Sequence, residues 1–177
     1  NYTLDHFGMR PLEYIESLGW IGPDGWYAHG IHFNDAELKR LAETGTGVAH
    51  GPISNMKLSS GIARIPEMLK LGVRVGLAVD GSASNDGSNL LEELRTGFLL
   101  HRLNSSSAAP TGYDMLKIAT RGSASILGRD DIGQIAEGMA ADFFMINMDR
   151  LALTGAQFDV SSMLGTVGFK GNVDYTV

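Results

Sequence analysis

Val73 to Val79 reads VRVGLAV, apolar throughout apart from Arg74 near its start. A strand with one face in water alternates apolar and polar residues. A near-continuous apolar run instead marks a strand covered on both faces, the habit of parallel sheets. Parallel neighbours cannot be joined by a hairpin; each pair needs a crossover, usually helical. This run therefore asks for further strands beside it and for helices between them.

The flanking sequence supplies both. Pro11 to Leu18 (PLEYIESL) opens on a proline suited to the first helical position and stops at Gly19, a residue type that closes helices. Trp26-Tyr27-Ala28 reads as a short buried strand ending at His29. Asn34 caps the next helix with Glu37 as its reciprocal partner, and Leu38, Leu41 and Ala42 form its inner stripe. Gly45 ends that helix, and Thr46 to Ala49 is a second strand, ending at His50. A short helix over Pro66 to Leu71 closes at Gly72 and leads into Val73 to Val79, which stops at Asp80-Gly81. Helices follow over Leu90 to Leu103 and Thr111 to Leu127, the second with Thr111 and Asp114 in capping-box spacing. Such alternation predicts an α/β chain with a parallel sheet. After Gly128 the character changes, Phe143 to Ile146 being strand-like and helix signals few. A boundary near residue 130 divides the chain into an α/β part, 1–130, and a β-rich appendage, 131–177.

The predicted strands end in His29, His50 and Asp80, each able to bind a metal. In a parallel α/β barrel or open sheet, the C-terminal strand ends converge on the active site, so these residues are expected to share one rim and one cleft. Each also has a plainer reading. A histidine at a strand end serves as a hydrogen-bonded structural residue, and an aspartate before glycine forms turns or caps helices. The run Gly81 to Asn89 (GSASNDGSN) contacts substrate on one reading and is a loop plus helix cap on the other. Gly51 to Asn55 is a turn first and a pocket wall second. His32 follows a strand rather than a helix, so His29 and His32 do not form the helical zinc motif. His6 and His101 lie away from strand ends.

Composition narrows the chemistry. With no cysteine, a disulfide scaffold, a thiolate metal site and a cysteine nucleophile are excluded, and any metal must sit on histidine and carboxylate ligands. A formal net charge of −6 argues against nucleic acid and anionic membrane as partners, since both demand a basic face. No apolar run approaches the roughly 18 residues that span a bilayer. Without a visible secretory segment, the expected compartment is the cytoplasm.

Three strings carry a family resemblance: Ala28 to Phe33 (AHGIHF), Gly47 to Leu58 (GVAHGPISNMKL) and Gly76 to Asp86 (GLAVDGSASND). Together they resemble the aminohydrolase branch of the amidohydrolase superfamily, to which guanine deaminases, adenosylhomocysteine deaminases, triazine hydrolases and 8-oxoguanine deaminases belong. The likeness is nearest to the 8-oxoguanine and guanine deaminase group, through Val79 to Asp86 and Gly122 to Gly133. Ile132 to Asp142 is similar to that family's return into its small β-domain.

The resemblance implies the C-terminal part of a (β/α)8 TIM-type barrel, about strands six to eight, plus part of a small β-sandwich domain. His29, His50 and Asp80 would then end strands six, seven and eight. Asp80 is implied as a ligand of one divalent metal, zinc first and iron second, and as the proton shuttle. His29 would orient the attacking water, and His50, Ser84 and Asn85 are expected at the substrate. The implied reaction is hydrolytic deamination of a purine-like heterocycle, 8-oxoguanine to urate and ammonia foremost. Alternatives are a triazine chlorohydrolase or aminohydrolase on the same fold, and a non-catalytic partial barrel. A small-molecule substrate and a homo-oligomer complete the expectation.

Two departures stand out. Gly30 and Gly51 occupy positions where close relatives usually carry cysteine. The family's His-x-His pair and its strand-five histidine with the following glutamate have no counterpart here, and are expected upstream of Asn1. The chain thus reads as a piece of a longer enzyme that would be inactive alone.

Overall fold

A computed structural model describes residues 2–155, 157–161, 163–166 and 173–177. Two short helices, α1 (Tyr2–Phe7) and α2 (Pro11–Ser17), precede β1 (Trp26–Ala28). Then come α3 (Asp35–Thr44), β2 (Gly47–His50), α4 (Pro52–Lys57), α5 (Ile65–Leu71) and β3 (Val75–Leu77). The three strands form one parallel sheet in the order β1-β2-β3, with Ala28 opposite Ala49 and Ala49 opposite Gly76. Parallel pairing and α/β alternation are therefore as the apolar run predicts.

Local signals act where expected. Asn34 accepts from the Glu37 N–H while Glu37 accepts from the Asn34 N–H, closing a capping box worth about 1 kcal/mol. Gly45 and Gly72 close α3 and α5 in the left-handed conformation. Leu38 and Leu41 of α3, Ile65 and Met68 of α5, and Val48, Val75 and Leu77 of the sheet form one buried cluster. Each such side chain contributes roughly 1.5–3 kcal/mol through burial.

Strand limits differ from expectation. Of Val73 to Val79, only Val75–Leu77 joins the sheet. Arg74 at its start is drawn sideways, its guanidinium donating to the carbonyls of Gly45, Pro23 and Ser125. The second strand is Gly47–His50 rather than Thr46 to Ala49. The Thr46 N–H is still bonded to the Leu41 carbonyl of α3, at 3.0 Å, and its hydroxyl to the Gly22 N–H, so pairing begins one residue later.

Beyond β3, α6 (Leu90–Ser105) leads to α7 (Gly112–Lys117) and α8 (Ser123–Ile126), joined by a π-helical turn over Ile118–Gly122. The expected single helix from Thr111 to Leu127 is thus continuous but widened in its middle. Widening lets the backbone meet β3: a Cβ on Gly122 would stand 2.0 Å from the Val75 carbonyl oxygen, so only glycine fits. Ser123 Oγ accepts the Leu77 N–H at 3.1 Å.

Among the described residues, the β-character expected for 131–177 amounts to one antiparallel pair, β4 (Phe144–Met145) with β5 (Tyr175–Thr176). Between them, Leu153 and, on the short helix α9 (Met163–Thr166), Met163 and Leu164 are buried with Leu94 and Met115. Residues 156, 162 and 167–172 of this stretch lie outside the described residues. No helix among those described is long and apolar enough to cross a membrane.

Candidate active site

The chain leaves β1 and β3 in the same unusual conformation. His29, directly beyond β1, and Asp80, which follows β3 after Ala78 and Val79, take positive φ, 68° and 66°. For residues with a Cβ this conformation costs on the order of 1–3 kcal/mol, and it persists where the surroundings over-determine it. The sharp turn re-aims both side chains toward each other across the end of the intervening β2. His29 Nε2 lies 3.8 Å from Asp80 Oδ2, and both side chains remain partly open to solvent.

Two consecutive residues of α4 hold this pair. Ser54 donates its hydroxyl to Asp80 Oδ2 at 2.5 Å, and Asn55 Oδ1 accepts from His29 Nδ1 at 2.8 Å. Both Ser54 and Asn55 are buried. An amide oxygen can only accept, so Nδ1 carries a proton and Nε2 is the ring nitrogen that faces Asp80. The Ser54 hydroxyl, the Gly81 N–H, Ser84 and His29 together hold the Asp80 carboxyl below the usual carboxylate range. Asp80 is therefore an anion at neutral pH, and a hydrogen-bonded one.

Neither Ser54 nor Asn55 stands out from the sequence, where Gly51 to Asn55 reads as a turn. The overlooked signal is Pro52 at the first helical position directly after a glycine. A helix begun there aims its first turn back at the strand end.

The remaining expected site residues are placed differently. Ser84 sits beside Asp80, its hydroxyl donating to the Gly81 carbonyl at 2.9 Å. His50 does not reach the shared cleft. It is the last rung of β2, opposite Leu77, fully buried, with Nε2 3.1 Å from Nε2 of His101 on α6. Alternation along the strand decides this, because a residue still inside the ladder must follow the pleat, whereas His29 has left it. Asn85 is likewise buried, donating to the Val79 carbonyl and to Glu93. His50 and Asn85 are thus enclosed by protein rather than turned toward an open site.

A metal can be weighed against these side chains. Imidazole nitrogen and carboxylate oxygen are the donor chemistry of cysteine-free zinc sites. His29 and Asp80 fit in kind, and their facing atoms are close enough to share an ion. Among the described residues, no group of three or more such side chains could hold one.

Comparison with known proteins gives this geometry its setting. Residues 1–177 match the profile of the amidohydrolase family. The chain is 46% identical over 164 residues to 8-oxoguanine deaminase of Pseudomonas aeruginosa, covering 93% of this chain and 36% of that protein. It is 47% identical over 174 residues to hydroxydechloroatrazine ethylaminohydrolase of Pseudomonas sp. (strain ADP), covering 97% and 36%. Among solved structures, atrazine chlorohydrolase from Arthrobacter aurescens TC1, complexed with zinc, superposes with a TM-score of 0.93 at 34% identity. That match covers 99% of this chain and 39% of the other. An adenosine deaminase from Xanthomonas campestris with bound zinc gives a TM-score of 0.94 at 30% identity, covering 99% and 40%. The chain thus spans well under half the length of each relative.

Proposed function

The chain belongs to the amidohydrolase family, and from that premise we propose that it is the part of a metal-dependent deaminase that carries Asp80 and His29 as catalytic residues. The observation that supports this reading is the His29–Asp80 pair, strained at two strand ends and gripped from behind by Asn55 and Ser54. On this reading β1, β2 and β3 are strands six to eight of a (β/α)8 barrel. Residues 1–130 belong to the barrel, and 131–177 begin a small β-domain.

The reaction is hydrolytic loss of an exocyclic amine from a purine-like ring, with 8-oxoguanine and water giving urate and ammonia. Asp80 would hold one divalent metal, zinc in the first place and iron in the second. When bound, the metal supplies Lewis acidity that makes water nucleophilic at neutral pH. Asp80, ionised, accepts the proton that water gives up and returns it to the departing amine. Its Oδ2 stays oriented because the Ser54 hydroxyl bonds to it. His29 Nε2, its tautomer set by Asn55, accepts a hydrogen bond from the attacking water and directs it. Ser84, beside Asp80, is the substrate contact that the geometry supports best; His50 and Asn85 become scaffold. A small heterocycle is the substrate, and a homo-oligomer is the working assembly.

A second reading keeps the site and exchanges the leaving group, as in triazine hydrolysis; the 47% identity to an ethylaminohydrolase favours giving it a test. The experiment is to supply the full-length protein with zinc or iron and offer 8-oxoguanine, guanine, hydroxydechloroatrazine and a chlorotriazine. Ammonia from the purines supports deamination. Amine or chloride release from the triazines alone supports the second reading, and turnover of none supports a binding role.

A further inference from the structure

Glu93 on α6 has no part in the chemistry described, yet its side chain is fully buried. Carboxylates are rarely enclosed in this way unless paired with a cation. Here both oxygens are met by neutral donors: Oε2 accepts the Ile53 N–H at 3.0 Å, and Oε1 accepts from the side-chain amide of Asn85. The same amide nitrogen of Asn85 donates to the Val79 carbonyl at 2.9 Å. Ile53 directly precedes Ser54 and Asn55, and Val79 directly precedes Asp80. One carboxylate on a separate helix therefore braces the backbone beside Ser54 and Asn55 and, through Asn85, the backbone beside Asp80.

Stability alone does not account for the arrangement. A buried charge loses hydration, and apolar replacements of similar volume are often neutral or stabilising. The cost shows in Glu93 itself, whose carboxyl burial pushes up to about 7. What the carboxylate supplies is two acceptors at a fixed separation, aimed at two different strand-end loops. A strained backbone such as that of Asp80 needs this kind of over-determination.

We infer that Glu93 is a positioning residue for the His29–Asp80 pair, acting through Ile53 on Ser54 and Asn55 and through Asn85 on the Val79–Asp80 backbone. The inference rests on the proposed deaminase reading for its kinetic consequences but not for its geometric ones.

The test is Glu93→Gln in the full-length, metal-loaded protein. Glutamine keeps the volume but offers one acceptor and one donor, so it must lose either the Ile53 bond or the Asn85 bond. The expected result is a fall in kcat of about 100-fold, the scale of a misplacement of about 1 Å, with KM changed by less than about threefold. Placed in an Asn55→Ala background, Glu93→Gln should cost much less than it does alone, because its effect travels partly through Asn55. A crystal structure of the Glu93→Gln protein should show a changed His29–Asp80 separation. An unchanged separation with unchanged kcat would overturn the inference, as would losses that simply multiply in the double variant. Should the wild type turn over no substrate, the deaminase reading fails and the crystallographic separation alone decides the role of Glu93. If Glu93→Gln does not fold, Asn85→Ala, which leaves the Ile53 bond in place, serves in the same measurements with the same opposing outcomes.

Discussion

His29 and Asp80 face each other at 3.8 Å across the end of a strand that belongs to neither, and both reach this position by turning the backbone into the left-handed region. The strands that carry them are not neighbours; β2 lies between. The helix that follows β2, α4, points Ser54 at Asp80 and Asn55 at His29. A site built in this way depends on backbone conformation at least as much as on the identity of its reactive groups.

Asp80→Asn in the full-length enzyme should abolish turnover while leaving the fold intact. On the proposed mechanism it removes an anionic ligand and the proton shuttle, and losses of about 10²–10⁴ are typical of the acid–base role alone. Ammonia release and circular dichroism measured side by side check this; near-normal deamination would refute the role.

Asn55→Ala should leave the protein folded but lower kcat by about 10–100-fold, the range typical of groups that orient a functional histidine. Without the Asn55 oxygen, no hydrogen bond seen among the described residues obliges Nδ1 to carry the proton. Nitrogen NMR of labelled histidine, which separates the two tautomers, should show His29 shifting from one form to a mixture. A single unchanged tautomer would count against the assignment.

Acidification should weaken the protein through His50 and His101. Burial pushes His50 down to about 3 and His101 to about 4, from an ordinary 6.5. A pKa lowered on folding means that the pair's contribution is fully present above about 6.5 and is lost as pH falls from there toward 4 and 3. Chemical denaturation of the full-length protein between pH 7.5 and 5 should show falling stability. His101→Met should flatten part of that dependence, and a pH profile equal to that of wild type would contradict the assignment.

Residues 1–177 expressed alone should release no ammonia from 8-oxoguanine or guanine and should bind zinc weakly. His29 and Asp80 offer two donors, while a zinc site takes about four ligands. Zinc titration by calorimetry, beside the full-length protein, is the measurement; metal-dependent turnover by the isolated chain would mean that the ligands are misassigned.

Gly122→Ala should destabilise by about 1–3 kcal/mol or more, since the added methyl meets a strand carbonyl rather than a movable side chain. Urea denaturation measures the loss, and a neutral result would mean that the π-helical turn relaxes at little cost.

Much of the scaffold is written in short-range chemistry. Asn34 with Glu37, Gly45, Gly72 and Thr111 with Asp114 act within a few residues of themselves, so their meaning survives without knowledge of the rest. The parallel sheet is legible too, because VRVGLAV cannot be half-exposed. His29 and Asp80 are legible as candidates because strand ends converge in such folds, and the family strings point to the same positions.

The rest needed three dimensions. His50 and His29 look alike in the sequence, each following a short apolar run, yet one stays in the ladder and turns inward to His101 while the other leaves it and turns to Asp80. A single residue of strand length separates the two outcomes, β1 stopping at Ala28 and β2 running on through His50. Glu93 reads as one of two adjacent acids on a helix and is in fact enclosed. Sequence determined the alternation, the caps and the identity of the reactive groups, all properties of neighbouring residues. Tertiary structure alone decided which groups meet, since burial and hydrogen-bond geometry depend on residues 26 to 51 positions apart, as with His29 and Asn55, or His50 and His101.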